Sequence, residues 1–286
     1  MSRKIKWVSS VIPSNELESL ELSLADFYSN SKQYFSSINF TENNWINNEE
    51  KGYLKIVEIA KNSQSICEIG CGGSNILAHY PELKSKYTGL DFSKNQLEAN
   101  ALKYSGATFN CFTHPNQFPV DSLKFDFVFS VFVLEHVTRP ADFLNECKRI
   151  LKPNGILVIL CPDFLGKGRM TSQRAGLSEG TTKDKIKKRK FIDALVTLYD
   201  NRVRIPLHSK ICSYKALKKP RFFINLLPTV FTDSFMPDVD AVYLTYKPEI
   251  STYLKNGFNE INNNQELIDY EIRKKIIFLQ LQKIGI

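Results

Sequence analysis

The sequence predicts an α/β protein built on a mostly parallel sheet with helices on both faces. Three observations predict it. Apolar strand-like runs alternate with helical stretches from Tyr53 to Cys161, the rhythm that brings parallel strands together. One run, Phe125–Val131 (FDFVFSV), is apolar nearly throughout, as a strand buried on both faces must be. A tight glycine turn, Gly70-Cys71-Gly72-Gly73, joins the first strand-like run to the helix after it.

Each element follows from local pattern. Residues 1–50 are rich in Ser and Asn and hold a helix-capable stretch near Asn15–Phe35, with Leu17, Leu20, Leu22, Leu24 and Phe27 apolar. Tyr53–Ala60 places Leu54, Ile56, Val57 and Ile59 at helical spacing and feeds the first strand, Ser65–Ile69. A helix over Ser74–Tyr80 follows, then a strand over Tyr87–Asp91 and a helix over Ser93–Tyr104 with Ser93 as its cap. Ala107–Phe112 and Phe125–Val131 are the third and fourth strands. Pro140–Leu151 carries Leu144, Cys147, Ile150 and Leu151 on one helical stripe, and Lys152-Pro153-Asn154-Gly155 stops it before a fifth strand, Ile156–Cys161.

The alternation then breaks. Pro162 to about Asp240 holds basic runs and helical pieces rather than strands. Ala241–Tyr246, a helix around Pro248–Asn256, then Phe258–Ile261 and Lys275–Gln282 resume the pattern. Asn262–Ile272 is short for a parallel crossover, so an antiparallel last strand is expected. The expected organisation is an N-terminal helical cap at 1–52, a core at 53–161, a basic insertion at 162–240, and a C-terminal return to the sheet at 241–286.

Composition narrows the class. With 43% hydrophobic and 24% charged residues the 286-residue chain is of ordinary globular make-up. No apolar run nears the ~18 residues of a membrane span, and no signal-peptide core follows Met1, so a cytosolic protein is expected. Six cysteines are scattered without a CxxC pair. That pattern indicates neither a zinc site nor a redox motif, and buried free thiols are expected. The net charge of +8 is uneven: Pro162–Val230 has 16 Lys/Arg against 5 Asp/Glu, so the rest of the chain is slightly acidic.

The chemistry concentrates between Ser65 and Asp91. An acid, Glu68, lies at the end of the first strand, the glycine turn follows, and the next strand closes on Asp91. Glycines there allow backbone N–H groups to approach a ligand. An acid roughly 20 residues beyond the first glycine takes the hydroxyls of a ribose. The pattern suits a nucleoside.

The pieces CEIGCGG, GLDFS, FDFVFSVFVLEHV and LNECKRILKPNGILVILCPD, in that order, resemble the class I S-adenosylmethionine-dependent methyltransferases, in particular the small-molecule (methyltransferase type 11) branch that includes quinone-biosynthesis enzymes. The resemblance covers about Tyr53–Cys161 and, more weakly, Ala241 to the end. It implies a seven-stranded Rossmann-like sheet and S-adenosyl-L-methionine as cofactor. It further implies that Glu68 and the Gly70-Cys71-Gly72 turn hold the methionine end, Asp91 the ribose and Phe92 the adenine, with Ser130 beneath the sulfonium. Two positions depart from the pattern. Ser74 stands where many relatives have a third glycine. His114 stands where an acid often meets the adenine amino group, and main-chain groups, Asn116 or Gln117 are left to substitute.

Several residues admit two readings. His136, in Glu135-His136, is either a base for the acceptor's proton or a tie between loop and sheet. Asp163 either orients a substrate hydroxyl or caps the following turn. His208 and Tyr214 are candidate acceptor contacts. The run Lys183–Lys190 is a solvated face, a clamp for a phosphorylated acceptor, a contact for anionic lipid headgroups or, least favoured, a nucleic-acid footprint. Arg221–Pro228 is either an interfacial segment or the insertion's own small core. The function expected is methyl transfer to a small-molecule, lipid-linked or nucleotide-linked acceptor, such as an anionic glycan precursor. A nicotinamide-dependent oxidoreductase would need glycine where Asn75 stands. The remaining alternative is a cofactor-binding scaffold subunit without catalysis.

Overall fold

The edge strands of the principal sheet, Thr108–Cys111 and Phe258–Glu260, are its least buried. This computed structural model describes residues 6–10, 15–30, 34, 44, 50–114, 117–168, 182–231 and 238–285. Among them the strands, in chain order, are β1 (Trp7–Ser9), β2 (Ile66–Ile69), β3 (Tyr87–Asp91), β4 (Thr108–Cys111), β5 (Phe125–Val131), β6 (Leu151–Pro162), β7 (Phe223–Asn225), β8 (Val230–Phe231), β9 (Asp238–Val239), β10 (Phe258–Glu260) and β11 (Ile276–Lys283). Seven form one sheet in the order β10-β11-β6-β5-β2-β3-β4. The five from β4 to β6 are parallel, and β11 runs antiparallel to both β6 and β10. The expected antiparallel last strand is therefore present, although its connection holds a full helix, Gln265–Lys274.

The two faces of the sheet bury separate cores because successive side chains point to opposite sides. Phe127, Phe129 and Val131 pack with Tyr53, Ile56 and Ala60 of helix Lys51–Asn62. On the other face Cys67, Ile69, Val128 and Ile159 meet Phe143, Leu144 and Cys147 of helix Pro140–Ile150. Leu17, Leu20, Leu24 and Tyr28 of helix Asn15–Asn30 join that second core. Each buried leucine there contributes about 1.5–3 kcal/mol, which binds the N-terminal helix to the sheet. Leu22, placed on the same helix, is exposed because it falls off the stripe.

Strand order reverses between β2 and β5. A crevice opens at such a reversal, outside the carboxyl ends of the strands. The glycine turn after β2 and the residues after Ser130 on β5 meet there.

Local departures have local causes. The helix expected over Ser74–Tyr80 is reduced to Ile76–His79, since Ser74 has a left-handed φ of +48° and Pro81 opens a 3₁₀ turn over Pro81–Lys86. Ser93 takes the cap position of helix Lys94–Lys103, yet its hydroxyl makes no capping bond. β6 begins at Leu151 instead of Ile156, with an irregular register against β5 at Phe125/Phe127 that absorbs the Lys152–Gly155 turn. Ala241–Tyr246 forms no strand of the principal sheet; Tyr243 makes a lone bridge to Ile224. Cys111 is exposed, unlike the other five free cysteines.

The insertion is not purely helical. β7 pairs antiparallel with β1, so the N-terminal segment is not purely helical either. Three-residue strands whose partners lie more than 200 residues apart leave no periodic trace. Arg221–Pro228 is a core piece, which removes the interfacial reading. Phe222 and Ile224 are buried, and the Glu249 carboxylate accepts bonds from the N–H groups of Arg221 (2.7 Å) and Phe222 (3.0 Å).

Candidate functional site

The glycine turn is held from below. Gly70 (φ +70°) and Cys71 donate their N–H groups to Leu90 O at 2.7 and 3.1 Å. Those donors serve the fold, which corrects the expectation that the turn offers them to a ligand. A Cβ on Gly70 would lie 2.2 Å from Val133 Cγ2, so the loop after β5 closes directly on the turn. Gly72 (φ +45°) is different: a Cβ there would meet nothing within 4 Å. The Cys71 side chain is buried and packs on Gly89.

Ser74, the departure from a third glycine, is fixed by its side chain. Its Oγ lies 3.0 Å from Tyr87 Oη and accepts from Asn100 Nδ2 at 3.3 Å. Asn100 also donates to Gly72 O at 2.7 Å. Tyr87 donates to Glu68, so this buried acid braces the turn from beneath.

Asp91 completes the turn. Oδ2 accepts from Gly72 N–H and Oδ1 from Ser93 N–H, each at 2.9 Å. Burial pushes its carboxyl above the ordinary range, and these backbone bonds oppose the rise. One acid thus orients two loop segments through its backbone bonds. Phe92 follows it, partly buried against Phe112 and Tyr28, with ring centroids 6.3 and 5.8 Å away.

At the end of β5, Ser130 is aligned with Ile69 of β2 and Ile159 of β6, and its buried hydroxyl has no partner. Such an orphaned group is rare in a finished interior. A fixed acid, an aromatic face, open space at Gly72 and an unpartnered hydroxyl fit a nucleoside cofactor with a polar tail.

The sequence singled out His136 but neither of the partners it meets. Tyr28 Oη lies 2.9 Å from His136 Nδ1 and 3.0 Å from Asp238 Oδ1. Burial drives the Tyr28 phenol well above its usual range, and Asp238 adds to the effect. The phenol therefore keeps its proton and donates a hydrogen bond to Asp238. Nδ1–H of a neutral His136 then donates to the phenol oxygen, which leaves Nε2 as the basic nitrogen. Burial lowers the His136 pKa, against the opposing charges of Asp238 and Asp240. Asp238 and Glu135 are both raised by burial, and Glu135 Oε2 has no partner. Nε2 stands 3.9 Å from Glu135 and 3.8 Å from Asp238. Tyr28 was legible in principle, since it continues the Leu17-Leu20-Leu24 stripe. Asp238 was not, because only the folding-back of the insertion delivers it.

Other expected residues fall elsewhere. Asp163 is buried, accepts from Gly166 N–H at 3.3 Å and pairs with Lys167 at 3.3 Å, so it caps helix Phe164–Lys167. Its carboxyl is raised by burial, with Lys167 opposing. His114 is exposed just past β4, its carbonyl accepting from Gln117 N–H; Asn116 lies outside the described residues. His208 stacks edge-on with Trp7 and Tyr214 is exposed beside Lys218, so neither reaches His136 in a described contact. The Lys183–Lys190 run is not one solvated face, since Lys185 is buried and donates to Thr197 at 2.7 Å. No cluster of three metal-ligating side chains occurs among the described residues.

Comparison with known proteins matches part of this chain to a family. Residues 67–159 match the family described as "Methyltransferase domain". The chain is 27% identical over 128 residues to a ubiquinone biosynthesis O-methyltransferase of Psychrobacter cryohalolentis, covering 41% of this chain and 50% of that protein. It is 30% identical over 96 residues to the Bradyrhizobium enzyme of the same name, covering 32% and 37%. The chain thus spans about half or less of the length of the curated relatives it matches. A 1,6-didemethyltoxoflavin-N1-methyltransferase of Burkholderia thailandensis superposes over 100% of this chain and 98% of its own, with a TM-score of 0.49 and 11% identity.

Proposed function

We propose that this chain, whose residues 67–159 match a family described as "Methyltransferase domain", is a class I, S-adenosylmethionine-dependent enzyme that methylates a hydroxyl oxygen of a small-molecule, lipid-linked or nucleotide-linked acceptor. The reading is supported by three features beside the reversal of strand order: the Asp91 carboxylate bonded to the Gly72 N–H of the turn after β2, the unpartnered Ser130 hydroxyl near the end of β5, and the buried His136 imidazole in the loop after β5.

In this reading Asp91 takes the ribose hydroxyls. Phe92 lies against the adenine, and the main chain near His114 faces its edge. Gly70, Gly72 and the main chain of Cys71 line the methionine end, with Glu68 holding them in place. Ser130 faces the sulfur. S-adenosylmethionine, when bound, supplies a methyl carbon made electrophilic by its sulfonium. The protein's share is to hold the acceptor oxygen in line with that carbon, within ~3–3.5 Å. His136 Nε2 would take the proton of the acceptor hydroxyl as that oxygen receives the methyl group. Tyr28 and Asp238 hold the imidazole in the tautomer that leaves Nε2 free. Asp163 acts on the loop rather than on the acceptor.

Oxygen is favoured because the curated relatives are named O-methyltransferases and because a hydroxyl, unlike a neutral amine, gains from a base that removes its proton. An anionic acceptor is favoured by a cavity of about 510 Å³ beside the end of β6, whose lining includes Arg202 and Lys210. The segments 1–52 and 162–240 act as the lid over the core at 53–161, residues 241–286 complete the sheet, and the enzyme works in the cytoplasm.

Titration calorimetry with S-adenosylmethionine and with NADH tests the cofactor. S-adenosylhomocysteine release across pools of hydroxyl acceptors tests the reaction. Binding of NADH instead would sink the reading. Cofactor binding with no turnover on any pool would favour the scaffold alternative.

A further inference from the structure

The longest helical run of the insertion is inside out. Helix Phe191–Tyr199 continues through a π-turn at Asp200–Arg204 into helix Ile205–Lys218. Apart from Ile205, the side it buries is small or polar: Ala194, Thr197, Asp200, Ser209, Cys212 and Ala216. Its apolar side faces outward. Ile192, Leu195, Tyr199, Val203, Leu207 and Ile211 recur every three or four residues and are 47–78% exposed, and the stripe runs on to Leu217. A surface helix normally turns that stripe to the core. A contiguous exposed apolar patch marks an interaction site.

Charge selects the partner. Residues 182–219 hold 12 Lys/Arg against 3 Asp/Glu. Lys187, Lys188, Arg189 and Lys190 stand exposed just before the stripe, and Lys210, Lys215, Lys218 and Lys219 flank its far end. Of the acids, Asp200 is buried and paired with Arg204. A second copy would press like charge on like charge. Nucleic acid would need the cations and not the apolar stripe. An anionic lipid surface takes both, apolar side chains below the headgroups and ammonium groups among them. No helix among the described residues is long and apolar enough to cross a membrane, so this one would lie along the surface.

We propose that the outward face of residues 191–218 docks the protein on an anionic bilayer surface. The proposal stands apart from the methyl-transfer chemistry, and cofactor binding serves as its independent control.

The test is co-sedimentation of the full chain with phosphatidylcholine vesicles, with and without phosphatidylglycerol. The wild type is expected to pellet with the anionic vesicles only, and to be released by salt. Leu207→Glu with Ile211→Glu should lower binding at least tenfold, and Lys187→Gln with Lys188→Gln and Lys190→Gln should weaken it, both with cofactor affinity unchanged. Should the glutamate variant misfold, a Leu207→Trp variant reads the same contact through a blue shift of its added emission on anionic vesicles. Absence of pelleting, equal binding to both vesicle types, or no emission change overturns the proposal. So does a lipid-free dimer in sedimentation equilibrium that Leu207→Glu splits.

Discussion

The hydroxyl of Tyr28 lies 2.9 Å from Nδ1 of His136, joining two residues 108 positions apart in sequence. The same hydroxyl reaches Asp238 at 3.0 Å, so the N-terminal helix, the loop after β5 and the end of the insertion converge on one imidazole. Removing the hydroxyl with Tyr28→Phe should lower kcat roughly tenfold, part of the ~10²–10⁴ a positioned base supplies. Cofactor affinity should not change. Steady-state kinetics beside calorimetry checks this, and an unaltered kcat would count against the base.

The pH dependence has a definite sign. Burial lowers the His136 pKa and Asp238 opposes the fall. His136 acts as a base only when neutral, so the rate should fall as pH drops through a value below the usual ~6.5 of histidine. Asp238→Asn removes a charge that favours the imidazolium, so the acid limb of log kcat should move to still lower pH. A limb that moves upward contradicts the arrangement. The same depressed pKa makes the unfolded chain bind the extra proton, so this contribution to stability is lost as pH falls from ~6.5.

Gly70 and Gly72 should separate stability from binding. Gly70→Ala places a Cβ 2.2 Å from Val133 at φ +70°. The left-handed backbone alone costs ~1–2 kcal/mol, and the clash adds to it, so both Tm and cofactor affinity should drop. Gly72→Ala meets no neighbour within 4 Å. It should cost only the ~1–2 kcal/mol of backbone strain while weakening cofactor binding out of proportion. Thermal melts paired with calorimetry distinguish the two.

Asp91→Asn should weaken cofactor binding by at least tenfold, since hydrogen bonds to a charged group are worth about 1.5–3 kcal/mol. A cofactor affinity equal to that of the wild type would remove Asp91 from the site.

Arg149 supports the loop after β4. It pairs with Glu146 at 2.7 Å and donates to Val120 O and Phe118 O at 2.9 and 3.0 Å, while Glu146 accepts from Phe118 N–H at 2.7 Å. Burial alone would raise the Glu146 carboxyl, but the Arg149 and Phe118 bonds outweigh it and hold it low. Arg149→Met should cost about 2 kcal/mol, read as a lower urea midpoint at neutral pH. The difference should shrink as acid protonates Glu146.

The sequence of the core spelled out its architecture because strand and helix periods are local. β3 and β5 begin and end where their apolar runs do, and the turn–acid pair Gly70/Asp91 is set by spacing alone. The basic insertion announced its charge, though not its strands.

By itself the sequence determined the parallel core, the glycine turn with its facing acid and the charge imbalance, since each depends on neighbours along the chain. Tertiary structure alone decided that Gly70 and Cys71 spend their N–H groups on Leu90, that Asp163 caps a helix, and that Tyr28 and Asp238 meet at His136. Those outcomes rest on hydrogen bonds between segments far apart in sequence, whose partners are chosen only when burial forces every polar group to find one.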